Sequence, residues 1–515
     1  MRVALTVADF LNRGALVYGS RVAVIDEPGV CGSLGAVTYA ELEARARGMA
    51  RGLDHLKVAQ GERVAIVSPN SGRFLTSYFG VSGFGRILVP INFRLTAAEI
   101  AYIVEHSGAS VLLYDPDLSD VVADIPVPHR FALDGVDDAE LFAPAPEGAG
   151  AEEWAGAEDD ACSVNYTSGT TARPKGVQLS HRNCWLNAVT FGWHTGVNDR
   201  DVLLHTLPMF HCNGWGMPYA VTGMGGTHVV QRKIDGEQIL SRIDQHGVTL
   251  MCGAPAVVAA ILDAATVRGR ESRPIPGAGT VRIVVAGAPP PSKAIERVET
   301  ELGWEFLQIY GLTETSPLLT INRAPSEWSG ITPVERSQRL SRAGVPAVGV
   351  QIALSEEGEV LARSNHVFAG YWEQPEETAA ALDGGWFHTG DGGYLDGNYL
   401  VISDRKKDVI ITGGENVSSI EVEDCIYGHP AVAEVAVIGV PHEKWGETIK
   451  ALVVLRPGLS VSEEDLIVHC REHMAHFKAP TSVEFRAELD RTATGKLQKY
   501  KLRQPYWSGR DRTVN

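Results

Sequence analysis

The chain has 515 residues, which is too long for one hydrophobic core and predicts at least two domains. Hydrophobic residues make up 44% and charged residues 21%, the proportions of an ordinary globular protein. The 46 basic and 63 acidic side chains give a net charge of −17. The chain as a whole therefore has no attraction for nucleic acid or an anionic membrane, and small anionic ligands would need local basic groups.

The cysteines and the N-terminal segment favour a reducing compartment. The seven cysteines are scattered, odd in number and form no CxxC pair, which argues against a disulfide framework and a structural zinc site. Residues 1–26 mix Asp9 and Arg13 into their apolar residues, so they contain no signal-peptide core. No uncharged apolar run is long enough to span a bilayer. We therefore expect a cytoplasmic protein with no membrane span and no nucleic-acid partner.

The first part of the chain alternates apolar runs with amphipathic stretches. A helix is predicted to begin at Thr38, and Thr96 with Glu99 forms a capping box for another. Buried strands are predicted at 63–67, 85–90 and 111–114. This alternation favours an α/β architecture with parallel sheets. Residues 143–160, rich in Ala, Gly, Pro and acidic side chains, are predicted to form a surface loop.

Residues 161–177 combine an apolar strand with a loop of small residues. The loop reads Tyr166-Thr167-Ser168-Gly169-Thr170-Thr171-Ala172-Arg173-Pro174-Lys175-Gly176-Val177. Small residues let backbone N–H groups and hydroxyls close around phosphate oxygens, and the lysine adds positive charge. The run lacks the GKS or GKT of a Walker A loop, and a polar surface loop is the alternative interpretation. We favour phosphate binding by Thr167, Ser168, Gly169, Thr170, Thr171 and Lys175.

Further short motifs follow in chain order. They are Ala286-Gly287-Ala288-Pro289, Tyr310-Gly311-Leu312-Thr313-Glu314-Thr315, Thr389-Gly390-Asp391, Asp404-Arg405-Lys406-Lys407-Asp408, Gly413-Gly414-Glu415-Asn416 and Thr494-Gly495-Lys496. Taken singly, such motifs are more often plain turns or loops. In this order, over nearly the whole chain, they resemble the adenylate-forming superfamily of acyl-CoA synthetases, peptide-synthetase adenylation domains and luciferases.

The charge cluster at 404–408 marks a change in pattern. Beyond it, helices are predicted after Ser418 and Ser462, and strands at 435–440, 449–455 and 483–485. This pattern predicts a small α+β domain of about 110 residues. The predicted fold class is therefore α/β, with a large N-terminal domain of parallel or mixed sheets and helices at 1–403. The second domain, at 404–515, would be the mobile C-terminal lid of this superfamily.

The resemblance implies how the chain would bind ATP and Mg²⁺. Glu314 and Thr167 would hold Mg²⁺ together with phosphate oxygens. Tyr310 would pack on adenine, and Asp391 would accept from the ribose hydroxyls with Arg405 beside it. The predicted nucleotide site is completed by Gly287, Ala288, Pro289, Gly311 and Thr315.

The resemblance also implies a change of domain position between two half-reactions. Lys496 would bridge carboxylate and phosphate oxygens in the first, although by position alone it would be an exposed surface lysine. The small domain would then rotate about Lys407, and the loop of Gly413, Gly414 and Glu415 would line a channel for the pantetheine of coenzyme A. The charge cluster around the hinge is also compatible with a solvated surface.

Residues 208–215 match the segment that family members place at the entrance of the acyl pocket. His211 would line or gate this entrance, and we include it among the catalytic candidates; no partner at ligand spacing supports a metal-binding role. The candidate walls are His211, Asn213, Gly214, Trp215, Met217, Met251, Cys252, Gly253, Gly311 and Ser316. Each is as compatible with core packing as with ligand contact. The Met and Trp residues predict an apolar acyl or aryl group, and the aspartate with which amino-acid-activating relatives bind the substrate amine is absent.

Ala172 departs from the glycine or serine that the family usually has at this position. If the loop needs a positive φ there, alanine would strain it by about 1 kcal/mol or more. Beside a full acyl-CoA ligase, three alternatives stay open: transfer of a ready-made acyl adenylate to CoA, loading of a separate acyl carrier protein, and a regulatory adenylate-binding protein. The sequence does not identify the acid, and a homodimer is left open.

Overall fold

A computed structural model describes residues 1, 3–146, 154–167, 174–405, 408–412, 415–442, 445–491 and 497–508. The described strands, β1 to β25 in chain order, are Val22–Ile25, Ala36–Thr38, Arg63–Val67, Ile87–Ile91, Ala109–Tyr114, His129–Ala132, Ala161–Thr167, Lys175–Ser180, Val202–His205, Thr227–Val230, Leu250–Gly253, Arg282–Val285, Glu305–Gly311, Leu318–Arg323, Val345–Pro346, Val350–Leu354, Glu359–Ser364, Gly370–Tyr371, Phe387–Asp396, Tyr399–Arg405, Ile410–Thr412, Glu415–Val417, Val432–His442, Gly446–Leu455 and Ser482–Phe485. The described helices, α1 to α16, are Ala8–Tyr18, Tyr39–His55, Gly72–Gly80, Ala97–Ser107, Ser119–Val122, Ala139–Phe142, His181–Thr195, Met217–Met224, Gly236–His246, Pro255–Arg270, Ser292–Arg297, Pro333–Leu340, Pro375–Ala381, Ser419–Tyr427, Glu463–His473 and Lys499–Arg503.

Two large mixed sheets form the N-terminal part of the fold. One has the order β15-β14-β13-β12-β11-β9-β10-β1-β2, and the other has the order β18-β8-β7-β4-β3-β5-β6. The inner strands pair in parallel, whereas antiparallel pairs lie toward the edges. The predicted α/β architecture of parallel or mixed sheets with helices is therefore confirmed.

Local sequence signals explain where several elements begin. The side chains of Thr38 and Thr96 each accept the backbone N–H of a glutamate three residues later, so α2 and α4 both begin at capping boxes. The box at Thr96 and the helix start at Thr38 are as predicted. The strand predicted at 85–90 begins later, at Ile87, because Gly85 adopts a left-handed conformation that ends the preceding turn. The strand β7 extends beyond its apolar start, to Thr167, because it pairs along its length with β8.

A four-stranded antiparallel sheet, β16-β17-β19-β20, occupies 350–405, where the sequence motifs predict no sheet. Its strands are only partly buried, so apolar runs mark them less clearly than the strands of the large sheets, although β20 begins with the apolar run 399–402. This sheet carries Asp391 on β19, and its last strand ends at Arg405.

The C-terminal part forms its own sheet, β22-β21-β24-β23, with β25 beside β24. As predicted, α14 begins after Ser418 and α15 after Ser462, whose side chains accept backbone N–H groups of the first turn. A separate core of apolar side chains lies between this sheet and these two helices. The domain boundary at residue 404 stays a prediction. In the described ranges, we find no helix whose length and apolar character would let it cross a membrane.

Candidate active site

The candidate site lies where parallel strands of the nine-stranded sheet end. In register, Gly253 at the end of β11 pairs with Val285 of β12, and Val285 pairs with Gln308 of β13. The chain that leaves these strands therefore brings together segments that are far apart in sequence, as open α/β sheets do at the carboxyl ends of their strands. These segments hold the predicted residues Met251, Cys252, Gly253, Gly287, Ala288, Pro289, Tyr310, Gly311, Thr315 and Ser316.

The predicted adenine and ribose groups are in direct contact. The Tyr310 hydroxyl donates to Asp391 Oδ2 at 2.9 Å, although the two residues are 81 positions apart. Asp391 lies on β19, and the strand register places Arg405 of β20 opposite it. The backbone N–H of Asp391 donates to Thr389 Oγ1 at 3.1 Å, which stabilises the local chain conformation. The structure thus brings three predicted nucleotide-binding residues to one place.

Tyr371, which the sequence motifs do not include, lies between the predicted phosphate and metal groups. Its hydroxyl donates to Glu314 Oε1 at 3.0 Å, and the Nζ atom of Lys175 lies 4.9 Å from the centroid of its ring. Strand pairing explains the arrangement, because β8 carries Lys175 opposite Thr167 of β7 and Val177 opposite Tyr371 of β18. Burial, and to a lesser extent the Glu314 carboxylate, raises the pKa of the Tyr371 phenol.

The donor atoms at this place fit Mg²⁺. A carboxylate from Glu314 and a hydroxyl from Thr167 are oxygen donors, which Mg²⁺ prefers. In the part of the chain that the structure describes, no three His, Cys, Asp or Glu side chains form a group that could hold a metal ion. A bound Mg²⁺ would therefore take its remaining ligands from phosphate oxygens and water, as Mg²⁺ commonly does in nucleotide sites.

The segment matched to the acyl entrance contains a left-handed turn, which we call the acyl turn, at 212–216. Its φ angles are 44° at Cys212, 51° at Asn213, 60° at Gly214, 60° at Trp215 and 79° at Gly216. Each non-glycine residue in this region costs about 1–2 kcal/mol, so neighbouring contacts must stabilise the turn. His211, just before the turn, is half-buried, and its ring centroid lies 6.4 Å from that of Trp215.

Neighbouring elements hold both ends of the acyl turn. The Asn187 side chain donates to the Trp215 carbonyl at 3.1 Å and accepts the backbone N–H of Leu318 at 3.1 Å. Before the turn, the Met209 backbone N–H donates to Asn70 Oδ1 at 2.7 Å. All five residues of the turn are buried, and Met217, which follows it, is 1% exposed.

Contacts with the rest of the fold hold three other predicted walls, and for Gly311 and Ser316 they also explain the residue type. A Cβ atom at Gly311 would lie 1.6 Å from the Pro317 carbonyl oxygen, so only glycine fits there. The Ser316 hydroxyl donates to the His366 carbonyl at 2.8 Å, and the Cys252 carbonyl accepts the Thr206 hydroxyl at 2.7 Å. The side chain of Met251 packs in a different core cluster from those of Cys252, Trp215 and Met217, because neighbouring residues of β11 face opposite sides of the sheet. The structure therefore does not bring Met251 together with these predicted walls, and the contact of the others with an acid stays a prediction.

Several predicted residues lie outside the described part of the chain, namely Ser168, Gly169, Thr170, Thr171, Ala172, Lys407, Gly413, Gly414 and Lys496. Glu415 is described; it begins β22 and is exposed. The roles assigned to these residues stay predictions.

Comparison with known families gives two matches along the chain. A model of the AMP-binding enzyme family matches residues 11–372, and a model of the AMP-binding enzyme C-terminal domain matches residues 421–496. The first match alone spans more than half of the chain, and it includes the predicted phosphate loop and the Tyr310 segment.

Characterised relatives and solved structures match over nearly the full length. A 2-methylpropanoate–CoA ligase of Humulus lupulus is 37% identical over 540 residues, covering 97% of this chain and 94% of that protein. A trans-cinnamate:CoA ligase of Petunia hybrida is 33% identical, covering 98% and 94%. The structure of an anthranilate CoA ligase with anthranoyl-AMP has a TM-score of 0.87 at 26% identity, covering 98% of both chains. An o-succinylbenzoate CoA synthetase from Bacillus subtilis with its acyl-adenylate has a TM-score of 0.81 at 29% identity, covering 96% and 98%. This chain therefore belongs to the AMP-binding enzyme family, the adenylate-forming superfamily of acyl-CoA synthetases.

Proposed function

We propose that the chain is an ATP- and Mg²⁺-dependent acyl-CoA ligase, which joins an apolar carboxylic acid to AMP and then transfers the acyl group to CoA. The observation that carries this proposal is that Lys175 and Glu314 both contact Tyr371, Lys175 at the face of the ring and Glu314 at the hydroxyl. When an anion attacks a phosphorus atom, the site must supply positive charge. A lysine can bind the phosphate, and a carboxylate oxygen can bind a metal ion. The names of the relatives, which are CoA ligases, support the second step.

The proposed roles follow from the contacts. Asp391 would accept hydrogen bonds from the ribose, and the Tyr310 ring beside it would pack on the adenine. Lys175 would offset the negative charge of the phosphates as the carboxylate approaches. Lys496 would bridge the carboxylate and phosphate oxygens. Mg²⁺ held by Glu314 and Thr167 would supply further positive charge at the phosphate oxygens.

The acid is proposed to be a short aliphatic or an aryl acid. Trp215 and Met217 are apolar and at most 3% exposed, so walls of these residues would not compensate a charge on the acyl chain. Relatives are named for 2-methylpropanoate, acetate, butyrate and trans-cinnamate. These four acids, with benzoate as an aryl control, form the panel to test.

The test separates the two half-reactions over this panel. Pyrophosphate release with ATP, Mg²⁺ and each acid reports adenylation, and thioester formation from a supplied acyl adenylate and CoA reports transfer. We expect both activities with at least one acid. Absence of both with every acid, in a folded preparation, would contradict the proposal.

Lys496→Ala is expected to abolish adenylation and spare transfer from a supplied acyl adenylate. The reason is that its ammonium group serves only the approach of two anions, which is complete once the adenylate exists. The same pair of assays measures both rates. An equal loss of both half-reactions would exclude this division of roles.

Ala172 motivates a second candidate function, in which the chain only transfers a ready-made acyl adenylate to CoA. A strained phosphate loop would weaken adenylation and leave transfer intact. Transfer without pyrophosphate release for any acid would establish this second candidate. A carrier protein bearing a phosphopantetheine arm, used in place of CoA, tests the remaining acceptor in the same assay.

The proposal includes a division of the chain near residue 404, with Lys407 as the hinge of a rotating C-terminal domain. It also includes a cytoplasmic location, although three relatives are named as peroxisomal enzymes.

A further inference from the structure

Three buried polar side chains behind the acyl turn form a closed ring of hydrogen bonds. Asn165 Nδ2 donates to Asn213 Oδ1 at 3.2 Å, Asn213 Nδ2 donates to Ser163 Oγ at 2.8 Å, and Ser163 Oγ donates to Asn165 Oδ1 at 3.0 Å. None of the three residues is more than 2% exposed. Such a ring defines the relative position of its members, because each side chain both donates and accepts.

The ring joins the two sides of the candidate site. Ser163 and Asn165 are two residues apart on β7 and so face the same side of the sheet. Two residues further, β7 ends at Thr167 and enters the predicted phosphate loop. Asn213 is the second residue of the acyl turn. The ring therefore connects the strand that leads to the phosphates with the segment at the acyl entrance.

The Asn213 side chain is fully used by the protein. Its oxygen accepts from Asn165, and its Nδ2 donates to Ser163 and, at 3.7 Å, to the sulfur of Cys184. Asparagine is also among the residues that tolerate a left-handed backbone best, because its short side chain finds local hydrogen bonds. Its residue type is thus explained by the turn and by the ring, without contact to a ligand.

We propose that the Ser163–Asn165–Asn213 ring is a positioning device for adenylation, which holds the acid carboxylate in line with the α-phosphorus of ATP. This inference rests on the proposed function. In that step a carboxylate oxygen forms a bond to the α-phosphorus, and the bond from this phosphorus to the oxygen bridging to the β-phosphorus breaks. The electron pair of that bond leaves with pyrophosphate. The reacting atoms belong to two separate molecules, so the distance between their binding segments controls the rate.

The second half-reaction does not depend on the ring in this way. In the acyl adenylate the acyl group and the phosphate are already joined by a covalent bond, so their relative position no longer depends on the protein. Loss of the ring should therefore slow adenylation and spare attack of the CoA thiol on the acyl carbonyl. A role in stability alone would lower both activities with the folded fraction.

The test uses the full-length enzyme and the variants Asn213→Ala, Asn165→Ala and their combination. Single-turnover pyrophosphate release and transfer from a supplied acyl adenylate are measured for each, together with thermal unfolding. We expect Asn213→Ala to slow adenylation about 10- to 100-fold while transfer stays within about twofold of wild type. The double variant should be no slower than the slower single variant, because both substitutions open the same ring.

A matched control and a milder variant complete the design. Asn322 is also a buried asparagine, 1% exposed, but its amide donates to the carbonyls of Arg339 and Arg342 away from the acyl turn. Asn322→Ala should reduce thermal stability and leave both half-reactions at wild-type rates. Ser163→Ala removes one hydroxyl from the ring and keeps both asparagines, so it tests the selectivity if the alanine variants at 165 and 213 fail to fold.

The outcomes distinguish this inference from the proposed function. Suppose that wild type adenylates an acid. If a folded ring variant then slows both half-reactions by the same factor, or slows neither, the ring has no positioning role. Wild type that releases no pyrophosphate with any acid overturns the proposed adenylation and the inference with it. Selective loss of adenylation in a folded ring variant supports the inference.

Discussion

Tyr371 serves two groups of opposite charge with different parts of one side chain. Its hydroxyl donates to the Glu314 carboxylate, and the Lys175 ammonium lies over the face of its ring. The hydroxyl orders the carboxylate before any ligand arrives, and the ring keeps the ammonium at a defined place by a cation–π contact. The two contacts can be removed separately by substitution.

Tyr371→Phe removes the hydroxyl and keeps the ring over Lys175. We expect the Mg²⁺ concentration for half-maximal adenylation to rise about fivefold, which corresponds to one net hydrogen bond of about 1 kcal/mol. The KM for ATP at saturating Mg²⁺ should stay close to wild type. Titrating Mg²⁺ and ATP separately in the pyrophosphate assay measures both quantities.

Tyr371→Leu serves as the matched comparison, because it removes the ring as well. It should raise the KM for ATP in addition to the Mg²⁺ requirement, since Lys175 loses its partner. If Tyr371→Phe and Tyr371→Leu behave alike, the ring has no separate effect on Lys175, and this account of the residue is wrong.

At the scale of elements, the neighbouring strands β9 and β10 bury a pair of histidines. His205 Nε2 lies 3.0 Å from His228 Nδ1, and His228 Nε2 lies 3.0 Å from the Thr222 hydroxyl on α8. Burial lowers the pKa of His205 to about 3, and burial together with the neighbouring His205 lowers the pKa of His228 well below its usual range. Both side chains are therefore neutral in the folded protein near neutral pH.

This pair predicts a loss of stability in acid. In the unfolded chain a histidine takes up a proton below a pH of about 6.5, whereas the folded protein does not until much lower pH. The unfolded state therefore binds more protons, and the free energy of unfolding should fall by about 1.4 kcal/mol per pH unit for each of the two histidines as the pH drops below about 6.5. The contribution is fully present above that pH.

His228→Gln tests the origin of this dependence. The variant should be less stable at pH 7.5 but should lose stability less steeply on acidification, as urea unfolding between pH 7.5 and 5 would measure. The same change at the exposed His476 should leave the slope at its wild-type value. A slope unchanged in His228→Gln would assign the acid sensitivity to other groups.

At the scale of the whole molecule, α14 of the C-terminal part docks on the start of α11 in the N-terminal part. The Asp424 carboxylate accepts the Ser292 backbone N–H at 2.8 Å and the Ser292 hydroxyl at 3.1 Å. A carboxylate at a helix start interacts favourably with the N–H groups there. Nearby, Arg456 pairs with Asp263 at 3.2 Å, but the Asp263 side chain is 66% exposed. Water screens this second contact more strongly.

Asp424→Ala is expected to loosen the contact between the two parts. Amide hydrogen exchange should increase in 415–442 and around Ser292, while the cores of both parts keep their protection. Arg456→Ala should have a smaller effect, because exposed ion pairs contribute at most about 1 kcal/mol. Since the proposed reaction uses two positions of the C-terminal domain, the ratio of the two half-reaction rates should also change in Asp424→Ala. Equal exchange in wild type and Asp424→Ala would show that this contact does not hold the parts together.

The fold class and several elements could be predicted because their signals are local. Thr38 and Thr96 begin helices through contacts with residues three positions away, and the apolar run at Arg63–Val67 forms a buried strand. The order of short motifs identified the family and the residues Tyr310 and Asp391, which the structure then places in contact. These features depend only on residues close together in sequence, or on the order of motifs along the chain.

The remaining features depend on contacts between distant residues, so the sequence alone did not determine them. The antiparallel sheet at 350–405 was not predicted, because its strands are only partly buried and their apolar patterns are weak. Tyr371 meets Glu314 across 57 positions, and Asn165 meets Asn213 across 48. The left-handed acyl turn exists because such contacts stabilise a conformation that its residues would not adopt by themselves. The sequence by itself thus determined the family, the fold class and the elements with strong local signals, whereas tertiary packing decided the geometry around the reacting groups.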